Sequence, residues 1–210
     1  MERSRKLTPE VTEKYQVLKS DYSVMQGTYA AYLKKALVAA GNYNKNIKTG
    51  TWTFFDAKGK VVQRYNYDKN TLIYEAPHDS TLRVRYVVDD SLKNNPLFTR
   101  PVRIGGRYYG YLPYINLIKL PAYASNLDNL NYRATIELLI TPLGRLAEYK
   151  LRISAIGALN RDDDVVLNLN LNLLKDEDKV FLPATLNNNP IPVRIVIPCD
   201  FYRSDLIRLP

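Results

Sequence analysis

The chain has 210 residues, of which 46% are hydrophobic, and carries a formal charge of +9 with a pI near 9.5. That length and apolar content suit one large or two small globular domains. No apolar run approaches the roughly 18 residues of a membrane-spanning helix, and the single cysteine, Cys199, excludes an internal disulfide. The positive charge would suit a polyanion, but it is dispersed: Arg100, Arg103 and Arg107 form the densest basic group, and acidic residues intervene almost everywhere else. Without an aromatic RNA-binding signature this reads as a solvated surface rather than a specific nucleic-acid site. Seventeen tyrosines against five phenylalanines and one tryptophan favour β structure, because a flat ring with one polar end fits a half-buried pleated sheet.

Residues 1–21 are read as an N-terminal segment. Its start, Met1-Glu2-Arg3-Ser4-Arg5-Lys6, is charged and has no apolar core behind it, so it is not a signal peptide. Membrane association is expected only through a leader or anchor absent from this sequence.

Residues 22–96 are read as a β-repeat domain. Gly27-Thr28-Tyr29-Ala30-Ala31-Tyr32 recurs as Gly50-Thr51-Trp52-Thr53-Phe54-Phe55, an offset of 23 residues, and Val38, Gly41 and Tyr43 correspond to Val62, Tyr65 and Tyr67. Each unit holds two alternating segments around a turn, as in Trp52–Phe55 and Val61–Tyr65 flanking Asp56-Ala57-Lys58-Gly59-Lys60, where Gly59 can take positive φ. One unit therefore predicts one hairpin, and stacked hairpins predict a continuous twisted sheet. The pattern resembles MORN-type repeats, and more closely the variant in bacterial proteins labelled YwqK-family antitoxins. The first unit departs from it, with Lys34-Lys35-Ala36-Leu37 where an Asn-Gly turn is usual.

The turn cluster Ala76-Pro77-His78-Asp79-Ser80, an alternating strand at 81–88 and a loop at 89–96 punctuate the chain and place a domain boundary between 76 and 100. The 81–88 strand could join either sheet.

Residues 97–210 are read as a second domain. Tyr111, Tyr114, Ile115 and Ile118 recur at helical spacing within 108–118, Pro121 ends that element, and Ala122–Ser125 can add a turn. Tyr132–Ile140 alternates as a strand, Thr141-Pro142-Leu143-Gly144 is a tight turn and Arg145–Ser154 returns. Across 162–175 the Leu-Asn alternation argues for a strand. Asp162-Asp163-Asp164 and the spacing of Val166, Leu169 and Leu173 argue for a helix, which is taken as the expectation. Pro192 and Pro198 bracket a last apolar strand and confine it toward a sheet edge.

Taken in order, Gly105-Gly106, Tyr114-Ile115-Asn116-Leu117-Ile118-Lys119-Leu120-Pro121, Gly144-Arg145, Phe181-Leu182-Pro183-Ala184, Asn187-Asn188-Asn189 and Pro198-Cys199-Asp200-Phe201 resemble the boxes of the C-terminal domain of TonB-type energy transducers, in the form common in Bacteroidetes. Asn131-Tyr132-Arg133-Ala134 stands where that family has a glycine, and its anchor and Pro-rich linker are missing. The resemblance implies an α+β, β-rich fold: an N-terminal antiparallel hairpin-repeat sheet, then a module of two helices and a small antiparallel sheet. It also implies binding by β-strand addition, with Val193, Arg194, Ile195, Val196 and Ile197 as the expected acceptor edge and proline at Ile195 expected to abolish binding without unfolding the rest.

Catalytic chemistry finds little support. His78 sits in a turn with no serine or cysteine partner, and one His with one Cys falls short of a metal site. The Asp162–Asp164 run lacks the spacing of a Ca²⁺ loop, Ile104-Gly105-Gly106-Arg107 lacks a dinucleotide loop's third glycine, and Cys199 reads as a packed residue. The expectation is a non-enzymatic periplasmic or cell-envelope protein without cofactor or metal, binding a protein partner such as an outer-membrane transporter or receptor. The alternative is a structural or antitoxin-like scaffold acting through its β-repeats or as a homodimer.

Overall fold

The computed structural model describes residues 1–77, 84–88, 97–106, 108–120, 127–157, 164–203 and 206–209. The chain divides into two compact units. One comprises Met1–His78 with Ile104–Leu112, and the other Asp79–Arg103 with Pro113–Pro210.

The first unit is a seven-stranded antiparallel meander in sequence order: β1 (Glu2–Lys6), β2 (Val11–Val17), β3 (Met25–Leu33), β4 (Ala36–Asn44), β5 (Ile47–Phe55), β6 (Val61–Asn66) and β7 (Thr71–Glu75). The first 21 residues thus supply β1 and β2 of the same sheet. The repeat is visible as matched register, since Tyr29 lies opposite Gly41 and Trp52 opposite Tyr65. Both glycines that open the units, Gly27 and Gly50, have positive φ. Lys34 takes the left-handed conformation that lets the first hairpin close without Asn-Gly, and Lys45 and Asn46 both take it in the two-residue turn from β4 to β5.

Alternation sends Val11, Tyr29, Ala31, Trp52 and Phe54 to one buried face. Rings crowd around Trp52, with centroids of Tyr29, Tyr43 and Tyr67 at 5.1, 5.2 and 5.7 Å, and its indole N–H donates to the Asn42 carbonyl at 3.1 Å. Glu13 is buried among them and is satisfied by Arg5 and by the Tyr29 hydroxyl at 2.6 Å. The same hydroxyl meets that of Tyr109 at 2.7 Å.

Gln63 fastens segment 104–112 to this sheet, together with Tyr109 against Tyr29 and Phe54. Gln63, buried at the position equivalent to Ala39 of the preceding unit, accepts from the Gly105 and Gly106 amides at 2.8 and 3.0 Å and donates to Glu75 at 2.7 Å. A Cβ on Gly105 would lie 2.5 Å from Gly110 Cα, and one on Gly106 would lie 2.9 Å from Phe54 Cβ. The Gly-Gly pair is therefore a close-approach device.

The second unit contains β8 (Arg85–Val87), β9 (Phe98–Thr99), β10 (Val102–Arg103), the short helix α1 that runs on from Leu112 (Leu112–Asn116), β11 (Tyr132–Ile140), β12 (Leu146–Ala155), β13 (Val165–Asn168), β14 (Phe181–Leu182), β15 (Ala184–Leu186), β16 (Asn189–Ile191), β17 (Val193–Arg203) and β18 (Leu206–Arg208). Its main sheet runs β13-β12-β11-β17, with β8 and β18 both on the far flank of β17. Two small sheets, β10-β14 and β16-β15-β9, accompany it.

The fold is β-rich with antiparallel sheets, and α1 is the one α-helix among the described residues. The helix expected over 162–175 is replaced by β13 and a 3-10 turn at Leu171–Leu173. Alternation outweighs the helical spacing here because β12 offers Lys150–Ile153 as a ladder for Val165–Asn168. The expected hairpin forms as β11 and β12, and Gly144 at its turn has φ +70 with a virtual Cβ 2.2 Å from the Phe181 carbonyl oxygen. Asn187 and Asn188 both take positive φ between β15 and β16, as the expected Asn turn requires. The turn expected at 122–125, His78 and the loop at 89–96 lie outside the described residues.

A polar knot lies inside this unit. Arg103, buried, donates to Asp178 Oδ1 at 2.5 Å and to the Glu177 and Val180 carbonyls at 2.8 and 3.1 Å. Tyr114 donates to the Asp178 carbonyl at 2.5 Å, and Tyr149 donates to the Tyr114 carbonyl. Burial pushes both phenols well above the ordinary tyrosine range, so they remain donors. Arg103, read from sequence as part of a surface basic group, is instead a structural cation.

Candidate protein-binding strand

The five residues expected to form an acceptor edge, Val193, Arg194, Ile195, Val196 and Ile197, open β17. One flank is fully used: Val193–Cys199 pairs with β11 over seven positions, from Val193 opposite Ile140 to Cys199 opposite Ala134. Beyond that, the Asn129 side chain takes over, accepting from the Phe201 amide at 2.8 Å and donating to its carbonyl at 2.9 Å.

The other flank corrects the expectation of a free edge. β8 pairs with it, placing Arg85, Tyr86 and Val87 opposite Val196, Ile195 and Arg194. Further along, β18 pairs from Asp200. Among the described residues no strand lies opposite Ile197–Cys199 on this flank. Pro198 falls in that interval, where no ladder among the described residues asks for its N–H within the 11-residue strand.

Ile195 is fully buried with ladder partners on both sides. Proline there would break the sheet and would not test binding alone.

The two faces of β17 differ. Val193, Ile195, Ile197 and Cys199 turn into the core beside Ile136, Leu138, Tyr149, Leu151 and Ile153. Arg194 belongs to an ionic ladder on the opposite face, with Nη1 3.0 Å from Glu148 Oε2 and 3.6 Å from Glu137 Oε2. Arg152 bridges Glu137 at 2.7 Å and Asp164 at 3.1 Å, and Lys150 reaches Glu148 at 2.9 Å. The Lys150 ammonium, and then the Arg194 guanidinium, hold the Glu148 carboxyl below its usual range. Asp164, expected at a helix start, is instead the carboxylate end of this ladder beside β13.

Other candidate chemistry settles into structural roles. Cys199 is buried with its thiol pushed up to about 12 by desolvation, so the thiolate is suppressed at neutral pH. Among the described residues no three His, Cys, Asp or Glu side chains gather as a metal site, and no helix is long and apolar enough to cross a membrane.

The sequence missed β8 as an occupant of β17. The alternation at 81–88 gave a strand, but nothing local named its partner. In comparisons with known protein families, curated proteins and solved structures, the chain matches none.

Proposed function

We infer that the chain is a non-enzymatic cell-envelope binding protein whose second unit takes an extended segment of a partner protein by β-strand addition along β17. The partner class is an outer-membrane transporter or receptor with a protruding flexible strand. The observation that carries this reading is the incomplete flank of β17. One side has a seven-residue ladder, whereas the other has, among the described residues, three residues of β8 and then β18 from Asp200. An added strand would take over the pairs at Arg194–Val196 and reach the Pro198 carbonyl beyond them, and its alternate side chains would supply specificity.

A photo-crosslinking side chain at position 198 of the full chain tests this in an envelope extract. The expected product joins position 198 to an extended segment of an envelope protein, and a probe at position 73 of the repeat sheet does not give it. Crosslinks from position 73 alone would overturn the reading.

A second reading, a scaffold that self-associates through the repeats, is favoured by β7. That edge strand reads Thr-Leu-Ile-Tyr-Glu with Ile73 54% and Tyr74 40% exposed, whereas the opposite edge, β1, is charged at Glu2, Arg3, Arg5 and Lys6. Light scattering across a concentration series decides it. A mass that doubles with concentration and reverts on Ile73→Lys supports self-pairing, and a constant monomer mass removes it.

A further inference from the structure

We propose that β8 is a resident stand-in for the partner's strand, and that the partner segment replaces it with an aromatic side chain where Tyr86 now lies. This rests on the strand-addition reading above and adds the chemistry of the ligand. The motivating observation is the pattern of β8. Exposure alternates along Val84-Arg85-Tyr86-Val87-Val88, with Val84, Tyr86 and Val88 half-buried and Arg85 and Val87 exposed. Tyr86 stands directly opposite Ile195, so the two share the core-facing side of the sheet. The Arg100 guanidinium lies 5.5 Å from the Tyr86 ring centroid, so the aromatic position is lined by an apolar residue and a cation.

β8 is weakly held for its position. Among the described residues it makes three ladder pairs, and Arg85 and Val87 point to solvent, Val87 being 44% exposed. Among the described residues its inward side is the half-buried Val84, Tyr86 and Val88, a modest burial against the ordering of its backbone. A longer partner strand running antiparallel to β17 would keep the pairs at Arg194–Val196 and run on past Ile197, where no strand among the described residues lies opposite. The ligand is therefore an extended segment of the form apolar, any, aromatic, any, apolar, with its aromatic residue opposite Ile195. The outward positions would meet Arg194 and Val196, of which Arg194 is already committed to Glu137 and Glu148, so they carry little charge preference.

The test uses the full chain and a dansylated, end-blocked peptide of the β8 sequence, Val-Arg-Tyr-Val-Val, read by fluorescence anisotropy. Three proteins are compared: the native chain, Val87→Pro to weaken β8, and the double substitution Val87→Cys with Arg194→Cys. The last two positions are directly opposite each other, a relation that suits a disulfide and would lock β8 in place. The expected result is affinity at least about tenfold higher in Val87→Pro than in the native chain, no binding in the oxidised double variant, and recovery on reduction. A peptide with serine for tyrosine should bind at least about tenfold more weakly. Tyr86→Ala serves as the second weakened variant should Val87→Pro fail to fold.

Equal binding to all three proteins overturns the stand-in role while leaving strand addition elsewhere intact. Equal binding of the serine peptide overturns the aromatic requirement. Absence of binding to both weakened variants overturns β17 as the acceptor, and the inference with it.

Discussion

Gly41 lies directly beneath the Trp52 indole: a Cβ at Gly41 would stand 2.2 Å from Cδ2 and 2.3 Å from Cε2 of the ring. Gly41 does not have a positive φ, so its glycine is required by the tryptophan and not by backbone conformation. It also sits at a register shift between β4 and β5, where the ladder passes from Ala40 opposite Thr53 to Asn42 opposite Thr49. Gly41→Ala should therefore displace the ring that organises the repeat sheet, costing about 1–3 kcal/mol as an overpacking change. Trp52 is the chain's only tryptophan, so its emission during denaturant unfolding follows the first unit. Gly59→Ala, at a turn with φ +80 and open space around the added methyl, should cost only about 1 kcal/mol. Equal midpoints for the two variants would contradict the packing account.

Gln63 joins elements that sequence places about 40 residues apart. Gln63→Leu keeps the volume but leaves the Gly105 and Gly106 amides without their acceptor, each loss costing about 1–3 kcal/mol for a buried donor. The expected outcome is a Trp52 transition at clearly lower denaturant and at least about tenfold faster hydrogen exchange at those two amides. Unchanged exchange at Gly105 and Gly106 would show that segment 104–112 is held by something other than Gln63.

These two sites mark where the sequence is legible and where it is not. Period-2 alternation and the recurring Gly-Thr-aromatic unit report directly on strands whose neighbours are adjacent in sequence, so β3 to β6 and the β11–β12 hairpin can be read from the chain. Gln63 shows no such signal, since its partners Gly105 and Gly106 are distant and a buried glutamine looks like a surface one until its neighbours are known. The same limit hides β8 against β17 and Arg103 against Asp178. For Val165–Asn168 the alternation was present, but the acidic run before it and a coincident helical spacing pointed elsewhere. Only the waiting edge of β12 decides the matter. Pro192 and Pro198 pointed to a sheet edge, but β17 lies between β11 and β8 with β18, because proline reports only its own missing N–H and not which strands pair beside it.

Arg103 and Asp178 form the central pair of the second unit, both buried and 2.5 Å apart. Removing one partner leaves a charge without compensation, so Arg103→Met should cost about 3–5 kcal/mol. The double variant Arg103→Met with Asp178→Leu should recover part of that loss, because two apolar groups demand no counter-charge. Circular dichroism of the denaturant transition, with Trp52 emission followed in parallel, assigns the loss to the second unit. A double variant no more stable than Arg103→Met would place the energy in the bonds to the Glu177 and Val180 carbonyls rather than in the ion pair.

Cys199 faces the core between β11 and β17, and burial raises its thiol to about 12 from an ordinary value of about 8.5. The neutral form is the one the fold favours. Its contribution is complete below the unfolded thiol's range and is lost as pH rises through that range toward the folded value, because only the unfolded chain ionises there. Two outcomes follow. Native protein at pH 7 should resist a disulfide-exchange reagent and react fully once unfolded in denaturant. The native labelling rate should follow global opening of the second unit, so that Arg103→Met accelerates it while Gly41→Ala, which perturbs the other unit, does not. Rapid labelling of the native chain at pH 7 would mean that the Ile197–Cys199 interval opens locally.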